Sequence, residues 1–318
     1  MKTRLCLLVA AVAAILNAHA WDISGHMIVA KIAHDRLNPK AAARLEALAP
    51  QLQFNTSHYN SVNVAAWADN IKHLHGGPFA GQFKNWHFID LGCEASDPDL
   101  IADPPKMSIQ NGDVVSALKR CVAVVKGGHD PFITNEVIAV ALIVHLVGDI
   151  HQPLHCTTDY YLQPHVEPGH KRPQMHDAGG NAVLVSNFKD KYPNLHEFWD
   201  VGYKVKRALL IGTITSAPDL DTFATTPTDA AIRAAAADIS KFPPLASVNM
   251  HADFEQWARE THALGCASGY GNLKKYVEGK PVKLGAAYVK NARQVASQQL
   301  CLAGFRLASL LNELYPEH

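Results

Sequence analysis

Two histidine–aspartate pairs at helical spacing dominate the chemistry open to this chain. His145 and Asp149 lie four residues apart, and His196 and Asp200 repeat the interval. Residues four apart share one face of a helix, so each pair aims an imidazole nitrogen and a carboxylate oxygen at one point. His155 follows the first pair after Gln152-Pro153-Leu154, and the proline ends the helix and turns His155 back towards the same point. Asp69, in Ala66-Trp67-Ala68-Asp69, and His87, in Trp86-His87-Phe88-Ile89-Asp90, add further donors. Zinc takes imidazole nitrogen and carboxylate oxygen, and a catalytic zinc keeps one position for water.

The start of the chain adds an unusual donor. Lys2 and Arg4, an apolar run over 5–16, and small residues at Ala18 and Ala20 read as an export signal of residues 1–20. Cleavage there makes Trp21 the first residue of a domain spanning 21–318. Its free amine and its own carbonyl then form a chelating pair, with His26 five residues on.

Each feature alone has a plainer reading. A single His-x-x-x-Asp pair on a helix is more often an exposed ion pair. A histidine between Trp86 and Phe88 is more often packed in a core, and Trp21 alone is an ordinary buried aromatic. Against this, Val144, Leu146, Val147 and Ile150 surround the first pair, and unpaired polar groups are costly in such company. Two such pairs, a nearby Pro-Leu-His and a chelating terminus make a metal centre the better explanation.

Helices must position these groups. Apolar residues recur at three- and four-residue intervals over 25–37, 39–48, 62–74, 112–125, 135–149, 194–209, 229–239, 252–264 and 282–314. Asn38-Pro39 gives an N-cap followed by proline in the first turn. Strand-like alternation is confined to 182–185, after Gly179-Gly180. The expected class is all-α, with at most a small β-hairpin.

Composition excludes some partners. The chain holds 29 basic and 29 acidic residues; Lys2 and Arg4 lie in the signal, leaving 27 basic against 29 acidic. Binding nucleic acid by phosphate neutralisation alone calls for a basic surface, so metal ions must supply the positive field if phosphates are handled. The signal's apolar run is too short to span a bilayer. The expectation is a secreted or periplasmic monomer with no membrane partner. Beyond the signal stand Cys93, Cys121, Cys156, Cys266 and Cys301. Their proximity in sequence suggests Cys93–Cys121 and Cys266–Cys301 bridges.

These residues together resemble the zinc-dependent, single-strand-preferring type I nucleases (the S-one/P-one family). The matching stretches are 21–26, 65–72, 86–90, 145–155, 179–181 and 194–200, in that order. The resemblance implies a mainly helical domain with three zinc ions in one cleft. Asp69, His87, His145 and Asp149 would hold the first. Trp21, His26 and a bridging Asp149 would hold the second, and His155, His196 and Asp200 the third.

It further implies catalytic roles for Asp69, Asp149 and Lys72, the last as a cation beside the phosphoryl oxygens. Phe88 would stack on a nucleobase while Asp90 and Asn181 read its edge, and Lys72 would also contact substrate. The implied reaction is hydrolysis of RNA and single-stranded DNA to 5′-mononucleotides, with 3′-nucleotidase activity. The alternative is a zinc-dependent phospholipase C, whose site is similar. By composition, Lys72 is a surface lysine and Asn181, after two glycines, a turn residue. The stretch 156–178, with Tyr160, Tyr161, His165, His170 and Lys171, is longer than fungal members carry; it reads as a surface loop, with a lid as the alternative. His151 and His176 read as supporting or loop residues.

Overall fold

The helix that carries His145 and Asp149 runs through the middle of the protein. In the computed structural model, which describes residues 21–52, 54, 57–72, 83–93, 112–162, 174–188, 193–201, 229–242, 244, 248–271, 273 and 280–317, this helix is α5 (Glu136–Asp149). The others are α1 (Ile23–His34), α2 (Pro39–Leu48), α3 (Trp67–Lys72), α4 (Val114–Val125), α6 (Leu195–Asp200), α7 (Asp229–Ile239), α8 (Phe254–Leu264) and α9 (Ala286–Leu314). Every residue of α5 from Ile138 onward is buried. Such a helix is apolar all round and belongs inside. Asn135 caps its start by accepting from the Ile138 amide at 3.0 Å. Each buried aliphatic side chain contributes about 2 kcal/mol, which offsets the cost of taking His145 and Asp149 out of water.

α1, α4 and α9 pack round α5, and α1 also lies along α9 and α7. The fold is mainly helical, as the periodicity predicts. α1 begins two residues earlier than the pattern suggests, because Asp22 caps it by accepting from the Gly25 amide at 3.0 Å. The segment predicted over 62–74 splits into a 3-10 turn, Asn63–Ala66, and the short α3. α6 is short, and the rest of 194–209 lies outside the described residues from 202 on. α9 starts at Ala286 and is unbroken for 29 residues. α8 runs on into a π turn, Gly265–Tyr270, which no sequence pattern announced.

Two expectations fail. The small hairpin pairs β1 (Tyr160–Leu162) with β2 (Gln174–His176), antiparallel. The alternating stretch 182–185 makes only single bridges, Leu184 to Asn194 and Val185 to Val282. Its alternation reflects Val183 and Val185 turning inward onto α6 and α9 while Leu184 faces solvent. The hairpin lies within the stretch read as a loop; 163–173, with His165, His170 and Lys171, are outside the described residues.

The disulfide is Cys93–Cys266, across 173 residues, and neither expected bridge forms. Cys121 and Cys301 instead sit buried on the core faces of α4 and α9, and Cys156 is buried too. Neighbourhood in sequence is a poor guide once helices carry their cysteines inward.

An ion pair ties α4 to the segment after it and to the Trp86 turn. Arg120 pairs with Asp130 through Nε–Oδ2 at 2.6 Å and Nη2–Oδ1 at 2.8 Å, and stacks over Trp86 at 4.6 Å. Burial disfavours the Asp130 carboxylate, but the guanidinium and the amides of Ile133 and Phe132 outweigh it and hold its pKa at about 2. A depressed carboxyl pKa stabilises the fold above the unfolded value near pH 4, and that stability is lost as pH falls towards 2. Asp130→Asn should therefore lower the unfolding free energy by about 2 kcal/mol at pH 7, with the difference from wild type vanishing near pH 2. Urea denaturation across that pH range measures it.

Candidate metal centre and its supports

Three buried groups of donors converge in one region. They are His26, His145 and Asp149; Asp69, His87 and His145; and His155, His196 and Asp200. Within each group the ligand atoms lie within 4.8 Å of one another. Asp149 is common ground. Its Oδ2 is 2.9 Å from His87 Nδ1 and 3.2 Å from His145 Nε2, and its Oδ1 is 3.3 Å from His26 Nε2 and 3.8 Å from His155 Nδ1. Asp69 Oδ1 stands 3.6 Å from His145 Nε2 and 3.9 Å from His87 Nδ1. In the third group, His155 Nε2 and His196 Nε2 are 3.1 Å apart, with Asp200 Oδ1 4.0 and 3.8 Å from them.

Backbone carbonyls fix the ring tautomers. His145 Nδ1 donates to Ala65 O at 2.6 Å, His155 Nδ1 to His87 O at 2.7 Å, and His196 Nδ1 to Gly179 O at 2.7 Å. Each Nδ1 therefore carries the proton, and each Nε2 presents a lone pair. This makes the 3.1 Å approach of His155 Nε2 to His196 Nε2 informative. Two lone pairs that close repel unless a cation lies between them. His26 points the same way: neither buried ring nitrogen makes a hydrogen bond of good geometry, Nε2 lies 3.3 Å from Asp149 Oδ1, and the ring is stacked 3.8 Å from His145. The donor set and its geometry fit metal ions.

Charges act strongly on the same groups. Burial opposes ionisation of Asp149, but His145 and His87 beside it hold its carboxyl well below the usual range. Burial lowers the His26 pKa, as does His145. For His145 burial is overcome by Asp149 and Asp69, and its pKa rises.

Trp21 lies in this region. The Trp21 ring is fully buried, with Nε1 donating to Gly148 O at 2.9 Å, and the Asp22 amide donates to Asp200 O at 3.3 Å. Gly148 is required by what lies over it, since a Cβ there would fall 2.7 Å from His26 Nδ1. Alanine is the better helix former by about 1 kcal/mol. Gly148→Ala should nonetheless displace His26 and remove about one metal equivalent; elemental analysis of the purified variant reads this.

Of the supports, Gln152 and Arg306 escaped sequence reading, whereas His151 falls where its reading as a supporting residue places it. Gln152 is buried and donates from Nε2 to Asp200 Oδ1 at 2.6 Å. Gln152→Ala should weaken metal retention about 10- to 100-fold, as loss of such partners does elsewhere, and competition with a chelator measures it. His151 donates from Nδ1 to Val147 O at 2.7 Å, so its Nε2 accepts from Arg306 Nη1 at 3.0 Å. Arg306, fully buried on α9, also donates to Glu260 Oε2 at 2.6 Å and Asn249 O at 3.0 Å. The end of α5 is thereby tied to α8 and α9. Gln152 lies between Asp149 and His155 in sequence, which was the available signal for it; Arg306 gave none.

The other predicted residues fall nearby. Phe88 and Asp90 follow the 3-10 turn Lys84–His87, and the Phe88 carbonyl accepts from the Val114 amide at the start of α4. Burial pushes the Asp90 carboxyl up, with Asp177 adding to it. Asn181 Nδ2 closes its turn by donating to Ala178 O at 2.7 Å, as its turn reading anticipates, while its Oδ1 is buried without a partner. Lys72 is the last residue of α3, one turn after Asp69; its side chain is not among those described.

The S1/P1 Nuclease family matches residues 21–316 of this chain. The chain belongs to the S1/P1 nuclease family. It is similar to Nuclease S1 of Aspergillus oryzae, 26% identical over 298 residues covering 92% of this chain and 91% of that protein. Endonuclease 4 of Arabidopsis thaliana is 24% identical over 95% of this chain and 92% of its own length. Nuclease P1 of Penicillium citrinum is 28% identical over 57% of each. As an S1/P1 nuclease the protein is a hydrolase of phosphodiester bonds in nucleic acid. Among the described residues, no helix is long and apolar enough to cross a membrane.

Proposed function

We propose that the protein is a zinc-dependent nuclease that cleaves RNA and single-stranded DNA to 5′-mononucleotides and removes terminal 3′-phosphates. In this reading residues 1–20 are removed, and residues 21–318 act outside the cytoplasm as a monomer. The observation that carries it is the set of carbonyl-anchored histidines whose Nε2 lone pairs converge round Asp149 and Asp200. Asp69, His87, His145 and Asp149 would hold one zinc. Trp21, through its amine and carbonyl, with His26 and Asp149 would hold a second. His155, His196 and Asp200 would hold a third. Zinc supplies Lewis acidity there, making water acidic enough to attack phosphorus near neutral pH and neutralising phosphoryl charge.

The chain's own groups do the rest. Asp149, kept ionised, holds the two neighbouring donor sets together, and Asp69 holds its histidines in register. Burial of all these side chains excludes bulk water and strengthens every charge interaction in the site. Lys72 offers a positive charge to the phosphoryl oxygens. Phe88 offers a ring face on which a base stacks, a contact worth about 1–3 kcal/mol. Asn181 Oδ1, which lacks a protein donor, accepts from a base N–H, and Asp90 meets the same edge. Duplex stacking hides base faces, which favours single strands.

The test offers RNA, single-stranded DNA, duplex DNA and phosphatidylcholine to protein beginning at Trp21. Cleavage of both single-stranded substrates to 5′-phosphorylated products supports the reading. Lipid cleavage without nucleic-acid cleavage overturns it in favour of a phospholipase.

A further inference from the structure

Asp177 is a fully buried carboxylate with no part in the hydrolytic reading. Its Oδ1 accepts three hydrogen bonds, each of 3.0 Å, from Thr158 Oγ1, the Asp159 amide and Tyr270 OH. Burial raises its pKa, and these donors pull the other way. Thr158 and Asp159 follow the turn that ends in His155, and Tyr270 closes the π turn after α8. Such turns inside helices cluster at functional sites.

The residue opens an uncommon turn. Ala178, Gly179 and Gly180 have φ of 53°, 63° and 83° in succession. Ala178 has a Cβ, so its left-handed conformation costs about 1 kcal/mol and persists only where the surroundings hold it. The product of the turn is Asn181, with its unpartnered Oδ1.

The loop carrying Asp90 is held by the same two segments. The Thr158 amide donates to Leu91 O at 2.9 Å, and the Cys93 amide to Thr158 O at 3.1 Å. His262 Nε2 donates to Gly92 O at 3.1 Å, and Cys266 is bonded to Cys93. Thr158 thus holds the Asp90 loop with its backbone and the Asn181 turn with its side chain. The α8–π segment grips one loop at Cys93 and the other through Tyr270 and Asp177.

We infer that Asp177 and Tyr270 are a positioning pair that sets the Asn181 turn against the Asp90 loop, and so sets the site's affinity for the nucleobase without touching substrate. The inference rests on the base-binding reading above. Among the described residues, the hydrogen bonds of the two side chains run to Thr158, Asp159 and each other, not to a proposed metal ligand.

The test uses zinc-loaded protein beginning at Trp21, with Tyr270→Phe and Asp177→Asn. Substrates are a diribonucleoside monophosphate and its abasic counterpart. Loss of one hydrogen bond in the pair should raise KM for the dinucleotide about five- to tenfold, with kcat and zinc content unchanged. KM for the abasic substrate should stay at the wild-type value. An unchanged dinucleotide KM overturns the inference, as does an equal loss on both substrates or a loss of zinc. If Asp177→Asn does not fold, Tyr270→Phe, which deletes a single hydroxyl, carries the test alone. Wild-type protein that cleaves neither substrate would instead refute the nuclease mechanism itself.

Discussion

Replacing Asp149 with asparagine should reduce hydrolysis by about 10³-fold or more, comparable with losing a principal charge-stabilising group from a hydrolase site. Asparagine keeps the size but not the charge. Four histidines lie within 4 Å of the Asp149 oxygens, so its charge acts on all of them. Without it, His145 loses the main influence that raises its pKa, and both neighbouring donor sets lose a member. Metal content should fall together with activity. Steady-state rates and elemental analysis on one preparation check both, and near-wild-type turnover would remove Asp149 from the centre of the mechanism.

A single residue left ahead of Trp21 should be almost as damaging. An α-amine has a lone pair to give; in a peptide bond that nitrogen is delocalised and no longer a donor. The Trp21 ring is buried and pinned to the Gly148 carbonyl, so the residue cannot swing away to admit a substitute. Protein carrying one extra N-terminal alanine should lose about one zinc and about 10²- to 10³-fold in rate, the scale expected when a charge-stabilising element goes missing. Removing that alanine with an aminopeptidase should restore both. Full activity with the alanine in place would show that Trp21 serves only as a packed aromatic.

What was legible in the sequence was local. His145 with Asp149 and His196 with Asp200 declare themselves because helical spacing is a property of neighbours. The apolar residues round the first pair declared its burial, and Pro153 the turn to His155. The family resemblance then ordered Asp69, His87 and Trp21 into one site. What stayed hidden depends on segments far apart in the chain. The carbonyls that fix the tautomers of His145 and His155 come from Ala65 and His87, 80 and 68 residues away. The Cys93–Cys266 bridge spans 173 residues, and no spacing rule reaches that far. Arg306 looks in sequence like any helical surface arginine; only packing against Glu260, His151 and Trp257 shows that it is buried. The hairpin was misplaced because 182–185 alternates for reasons of burial without a partner strand.

The most direct test of the central claim is the zinc content of protein beginning at Trp21, counted while the metal-free protein is titrated with zinc and hydrolysis of single-stranded RNA is followed in the same samples. The account predicts three zinc ions per chain at saturation, with 5′-mononucleotide production reaching its maximum only as the third is bound. Full hydrolysis at one zinc per chain, or three bound zinc ions with no cleavage of RNA, would contradict it.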